Sequence, residues 1–199
     1  MFKKTLLVTM MLITLFLQAQ KKNISTQSVE IDNLITFVVE NYKPTKTTTK
    51  KPSAQSKNIV LLLQFNNDFS AENKVVLKQS LKLISSRLTK DDHISILTYS
   101  GVNGVVLKQT SIIKIKKILS SIVDFNVSIK EMHKDGIDFA YKYADNNFDE
   151  DAINSIVMVR NSNPTPTASN ENQGKKKRNN VLLLTAISLL PEVLAVIKN

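Results

Sequence analysis

The sequence predicts an α/β fold, in which helices cover both faces of a Rossmann-like, mostly parallel β-sheet. Strand-like and helix-like segments alternate between residues 58 and 159, as they do in parallel sheets. The first of these strands, Ile59 to Gln64, is apolar without interruption up to Leu63, which is typical of a strand buried on both faces. Gly101 and Gly104 flank a tight reversal, which predicts one antiparallel edge strand.

Each element is predicted from its own local pattern. Apolar residues recur at helical spacing in residues 29–42. Ser70 is a suitable N-cap for a helix whose apolar stripe runs from Leu77 to Leu88. Gly136 and Ala140 are four residues apart and would let a later helix lie close to the sheet. The predicted order is helix 29–42, strand 59–64, helix from 70, strands 93–100 and 105–110, helices 112–123 and 131–144, and strand 153–159.

Composition divides the chain into a central domain and terminal segments. The first residues are cationic, and an apolar stretch too short for a comfortable membrane span follows before the small residue Ala19. This pattern predicts a secretory signal cleaved after Ala19, with an uncleaved N-terminal anchor as the alternative. The predicted divisions are a signal peptide (1–19), an N-terminal helix with a Thr/Lys/Pro linker (20–57), the α/β domain (58–163), a flexible basic linker (164–180) and an apolar C-terminal helical segment (181–199).

The cysteine content, the predicted signal and the net charge limit where the protein can be located and which partners it can bind. There is no cysteine, which excludes disulfides, thiolate metal sites and a lipid-modified N-terminal cysteine. Together with the signal, this predicts an exported bacterial protein that is periplasmic, cell-surface or secreted. The net charge is +10, but tryptophan is absent and the basic runs lack Phe or Tyr. We therefore expect no nucleic-acid partner.

The segment from Val181 to Ile197 is the most apolar part of the predicted mature chain. Its only charge is Glu192, and a basic run, 175–178, precedes it. Seventeen residues interrupted by Pro191 are at the lower limit of a membrane span, so we favour packing on an open edge or face of the sheet. A tail anchor or interfacial helix, with membrane contact through residues 175–199, and a partner-binding helix are the alternatives.

The order of these elements resembles a von Willebrand factor type A domain. The resemblance covers residues 58–163 and depends on four places taken together: a strand with a polar end, a Leu-x-x-x-Asp strand entry, a Gly-containing helix and a last strand with a polar end. These are NIVLLLQF (58–65), LTKDDHISILTYS (88–100), KEMHKDGIDFAYKYA (130–144) and INSIVMVRNSN (153–163). The resemblance implies this family's fold, and it also implies that the family's continuation beyond the last strand is shortened here.

The family usually binds a divalent cation at a metal-ion-dependent adhesion site, whose open coordination position takes a carboxylate from a protein partner. At the positions that match this site, the chain has Gln64, Asn66, Asp68, Glu131 and Arg160. Every ligand differs, and a permanently protonated guanidinium beside a divalent ion would add repulsion of several kcal/mol. We therefore expect no metal and no cofactor, with Arg160 in an ion pair with Asp68 or Glu131. A rebuilt site that uses Asp68 and Glu131 is the alternative.

Catalytic motifs are missing from the sequence. His93 and His133 have no carboxylate or hydroxyl at a motif spacing, and the Asp91–Asp92 pair has the pattern of a solvated turn. No phosphate loop or nucleophile elbow occurs. We therefore predict a non-enzymatic protein-binding or scaffold protein of the bacterial envelope, with an unidentified protein partner. A metal-dependent adhesin-like binder and a membrane-anchored structural envelope protein are the alternatives.

Overall fold

The computed structural model describes residues 22–44, 55–66, 69–123 and 125–162. These residues form one five-stranded sheet with helices on both of its faces. The strands are β1 (Ile24–Glu30), β2 (Ser56–Gln64), β3 (His93–Tyr99), β4 (Gly104–Ser111) and β5 (Ala152–Arg160). The helices are α1 (Leu34–Asn41), α2 (Ala71–Arg87), α3 (Ile115–Ser121), α4 (Phe125–Ser128) and α5 (Gly136–Asn146), and a 3-10 helix (Ile31–Asn33) precedes α1.

The strand order in the sheet is β1-β5-β2-β3-β4. The β1–β5, β5–β2 and β2–β3 pairs are parallel, and the β3–β4 hairpin is antiparallel. The predicted fold class, a mostly parallel Rossmann-like sheet with one antiparallel pair, is therefore confirmed.

The two faces of the sheet are covered unequally. Side chains alternate between the faces along a strand, so Leu61 and Leu63 join a large core that also contains buried residues from α1, α2 and α3. Val60 and Leu62 belong to a smaller core on the opposite face, together with Ala140 and Tyr143 of α5. Among the described residues, α5 is the one helix that contributes to this second core.

Several local predictions are confirmed at the level of single residues. The Ser70 hydroxyl caps α2 by accepting a hydrogen bond from the Asn73 backbone N–H at 3.1 Å. A Cβ atom added to Gly136 would lie 2.7 Å from the Cβ of Tyr99, so the absence of a side chain lets α5 pack directly on β3. The predicted hairpin is the β3–β4 pair, with register irregularities near Ile96.

Other predictions are wrong in their boundaries. Residues 24–30 form the edge strand β1, which we did not predict, so the predicted helix over 29–42 begins only after it. Residues 20–57 were assigned to a segment ahead of the α/β domain, but β1 and α1 belong to the same sheet and core as the later elements. Helix α5 begins at Gly136 instead of Glu131, because Asp135 is its N-cap and accepts hydrogen bonds from the N–H groups of Ile137 and Asp138. The predicted signal peptide, basic linker and C-terminal segment lie outside the described residues.

Candidate functional site

The carboxyl ends of the parallel strands place four side chains in one row across the sheet. Glu30 on β1 is the register partner of Arg160 on β5, and Gln64 on β2 is the register partner of Tyr99 on β3. Gln64 and Arg160 directly follow the paired residues Leu63 and Val159. By strand alternation all four side chains lie on the α5 face, and we call them the carboxyl-end row: Glu30, Arg160, Gln64 and Tyr99.

The row crosses a topological switch point. The chain passes from β2 to β3 on one side of β2, and later returns to place β5 on its other side. Clefts at such reversals, at the carboxyl ends of the strands, are where open α/β sheets bind ligands. Gln64 and Arg160, two of the predicted site residues, flank this position.

Hydrogen bonds fix the polar groups beside the row. The Gln64 Oε1 atom accepts a hydrogen bond from the Asn161 backbone N–H at 2.9 Å, which ties the end of β2 to the chain leaving β5. The Asn66 Oδ1 atom accepts one from the Ser100 hydroxyl at 2.8 Å. The amide oxygens at two positions that match the family's metal ligands are therefore engaged within the protein.

The backbone after β3 is held in an unusual conformation. Ser100 has a φ angle of 68° and Gly101 a φ angle of 139°. A Cβ atom at Gly101 would collide with the carbonyl oxygen of Phe65, so only glycine fits there. The Phe65 N–H in turn donates to the Tyr99 carbonyl at 2.8 Å, and β2 and β3 thus remain paired up to the row.

Phe65 and Phe69 are core residues. They lie in the segment between β2 and α2 and are 4% and 8% exposed. Their ring centroids lie 5.2 and 5.1 Å from that of the fully buried Phe125. Their rings belong to the larger core, on the sheet face opposite α5, and they do not present a contact surface.

Glu131 belongs to a different part of the surface. It follows an isolated bridge between Lys130 and Val105, has a φ angle of 57°, and pairs with Lys108 of the edge strand at 2.6 Å. The hydrogen bond and charge of Lys108 lower the pKa of the Glu131 carboxyl, and Glu131 in the same way raises the pKa of Lys108. The predicted ion pair between Arg160 and Glu131 is therefore not formed.

The Lys108–Glu131 pair lies on the rim of an open cleft of about 490 Å³ between β4 and α5. Both charges are solvent-exposed, with 69% and 47% of their side-chain surface accessible. Two lysines and three side-chain amides line the cleft beside the rings of Phe139 and Tyr143. The cleft is a charged groove, separate from the carboxyl-end row.

Arg160 is the exposed cation of the row. Among the described residues it makes no ion pair, although Glu30 is its neighbour on β1. Burial raises the pKa of the Tyr99 phenol, and the positive charge of Arg160 lowers it in part. Asp68 lies outside the described residues, so its predicted ion pair with Arg160 stays a prediction.

Other tests of the sequence predictions concern metals, membranes and relatives. No group of three or more His, Asp or Glu residues that could hold a metal ion occurs within the described part of the chain. None of the helices in that part has both the length and the apolar character needed to cross a membrane. No protein-family model and no curated protein matches the chain, so the resemblance to type A domains stays a prediction.

Sequence reasoning missed several residues that shape this end of the sheet. The position of Glu30 beside Arg160 could not be predicted, because β1 was not predicted. Tyr99 and Ser100 could have been found by the rule that identified Gln64, since they too stand at the end of a predicted buried strand. The acidic turn Asp91–Asp92 was also misjudged, because the Asp92 side chain is buried and not solvated.

Proposed function

We propose that this chain is an exported, non-enzymatic protein-binding module, and that its partner contacts the carboxyl-end row. The observation that carries the proposal is Arg160: an exposed guanidinium at the switch point, without an ion pair among the described residues. Guanidinium groups bind carboxylates in a planar, two-bonded geometry. The partner group that best fits this position is the carboxylate of an Asp or Glu side chain.

The neighbours of Arg160 support recognition of an anion and not of a cation. Gln64 and Asn66 direct their amide oxygens to N–H and O–H donors of the protein itself. Arg160 carries a permanent positive charge, which opposes a divalent ion and attracts a carboxylate, whereas the carboxylate of its neighbour Glu30 acts in the opposite sense. In the resembled family a metal ion receives the partner's carboxylate, and we propose that Arg160 takes over that task without a metal.

Glu30 allows a second test of the proposal, because its replacement is expected to change the partner's affinity in the opposite direction from the replacement of Arg160. Its carboxylate follows the same register row and is partly exposed. A carboxylate roughly 6 Å from the partner's carboxylate would oppose binding by about 0.7 kcal/mol at an effective dielectric constant near 80, which is roughly a threefold effect. Replacing Glu30 with Gln is therefore expected to strengthen binding, whereas replacing Arg160 weakens it.

The experiment is affinity capture from an envelope extract, followed by a binding titration of the captured partner. Arg160→Asp is compared with Lys90→Asp, which makes the same charge reversal at an exposed residue in the turn before β3. We expect at least a tenfold loss of affinity for Arg160→Asp and little change for Lys90→Asp. Equal losses in the two variants would indicate general electrostatic attraction and would remove the row from the argument.

A further inference from the structure

Helix α5 is the one described helix on its face of the sheet, and it leaves part of that face open toward β1. A five-stranded sheet is roughly 19 Å wide from its first to its last strand, whereas a helix is about 10 Å across. Helix α5 packs on the middle of the sheet through Ala140 and Tyr143. It reaches β1 mainly through polar contacts at its side: the Tyr141 hydroxyl lies 3.3 Å from that of Thr26, and Lys22 pairs with Asp145 at 3.2 Å.

Apolar side chains remain accessible beside these contacts. Ile137 and Tyr141 are 40% and 42% exposed, and because they are four residues apart they share one side of α5. Ile24 of β1 and Met158 of β5 are only partly buried against the same core. We call these four residues the α5–β1 surface. The other flank of α5 is the charged cleft, so the exposed apolar side chains of α5 are on its β1 side, next to a strand whose own exposed residues are polar.

We propose that residues 181–197 of the same chain pack on the α5–β1 surface. The segment has one charge in seventeen residues and therefore needs an apolar contact. The described chain leaves the sheet just after Arg160, at the end of the strand next to β1. Residues 163–180 could extend over roughly 55 Å, which exceeds the roughly 30 Å length of β5.

The covalent linker favours residues 181–197 over a second copy of the chain as the occupant of the α5–β1 surface. A segment joined to the domain by a short linker has an effective concentration near the millimolar range at a surface within its reach. A membrane is the less suitable environment, because the segment is short and contains Pro191 and Glu192. A second copy of the chain would need to compete with the tethered segment on the same surface.

The absence of cysteine makes a direct test available. In the full chain, as processed by an exporting host, Ser188→Cys would be the single site for a nitroxide spin label. We expect the label to broaden the backbone NMR signals of Thr26, Ile137 and Tyr141, and the signals to recover when the label is reduced. The signals of Ile113 and Val123, exposed residues next to α3, should not change.

Substitutions then test the surface itself. Tyr141→Lys should abolish the broadening, whereas Ile113→Lys, the matched control on a more exposed isoleucine, should leave it unchanged. Ile137→Lys serves as a second variant if Tyr141→Lys reduces the dispersion of the spectrum.

Three outcomes would overturn the proposal. Broadening that is confined to residues near α3 would place the segment on the other face. Broadening that requires mixing of labelled and isotope-enriched molecules would assign the surface to a second copy. Broadening that is absent without lipid vesicles, with the segment inserting when they are added, would make the segment a membrane anchor.

Discussion

Asp92 is the residue whose substitution most directly tests the architecture of the sheet. Its side chain is 5% exposed. One carboxylate oxygen accepts a hydrogen bond from the Lys57 N–H at 2.6 Å, and the other accepts two from Thr89, from its N–H at 2.6 Å and its hydroxyl at 2.8 Å. The carboxylate therefore joins the beginning of β2 to the turn that leads into β3.

The substitution Asp92→Asn keeps the shape of the side chain but turns one acceptor oxygen into an N–H donor. Either the Lys57 N–H or the two Thr89 donors then face another donor, and the remaining bonds lose the assistance of the negative charge. A charge-assisted hydrogen bond contributes about 1.5–3 kcal/mol, and an unsatisfied buried donor costs about 1–3 kcal/mol. We therefore expect the free energy of unfolding to fall by about 2–4 kcal/mol.

The assay is urea and thermal unfolding followed by circular dichroism. For a chain of this size the expected loss corresponds to a fall in Tm of roughly 5–15 °C. Asp91→Asn is the matched control, because Asp91 is adjacent and exposed, and it should change stability by less than about 0.5 kcal/mol. A loss below about 1 kcal/mol for Asp92→Asn, or equal losses in both variants, would refute the reasoning.

Three further predictions concern other parts of the molecule. Burial holds the pKa of the Tyr42 phenol far above its ordinary value of about 10. The contribution of the neutral Tyr42 side chain to the free energy of unfolding is therefore present below pH 10 and is lost as the pH rises beyond it, because the phenol ionises first in the unfolded chain. The free energy of unfolding should therefore fall above pH 10, and Tyr42→Phe should reduce that slope by up to about 1.4 kcal/mol per pH unit. Gly101→Ala should cost roughly 2–4 kcal/mol by urea unfolding, because it forces an alanine to a φ angle of 139° against the Phe65 carbonyl; an unchanged midpoint would contradict that geometry. Calcium or magnesium at sub-millimolar concentration should leave Tm unchanged if the site is metal-free, whereas stabilisation would favour the rebuilt metal site.

The elements that the sequence predicted well are those whose signals are local. A continuous apolar run gave β2, a serine cap gave the start of α2, and the glycine-flanked reversal gave the β3–β4 hairpin. Strand β1 lacks such a signal, since four of its seven residues are exposed and polar side chains dominate it. Its strand conformation comes from pairing with β5, whose residues are more than one hundred positions away in the chain.

The candidate site was predictable only in part, for a related reason. The resemblance to type A domains identified Gln64 and Arg160 at the ends of two predicted strands, and the sheet places them on neighbouring strands. Glu131 was placed with them because it matches the family's Thr position ahead of the Gly-containing helix. The loop before α5 instead carries it to Lys108 on the edge strand, a long-range ion pair that no local pattern indicates.

The strand order gives a physical reason to propose a binding role for this end of the sheet, even though every expected metal ligand differs. A ligand site at a switch point is created by topology, because the strand order reverses there and leaves a crevice that exists whatever side chains line it. Here β2 and β5 meet at that reversal, and β5 brings a guanidinium where a metal site would need a carboxylate. The guanidinium of Arg160 therefore offsets the carboxylate of Glu30, so the row lacks the net negative charge that an acidic metal-binding cluster has before its ion binds. In the proposed function the partner group is an anion, and Arg160 and Glu30 are expected to change its affinity in opposite directions.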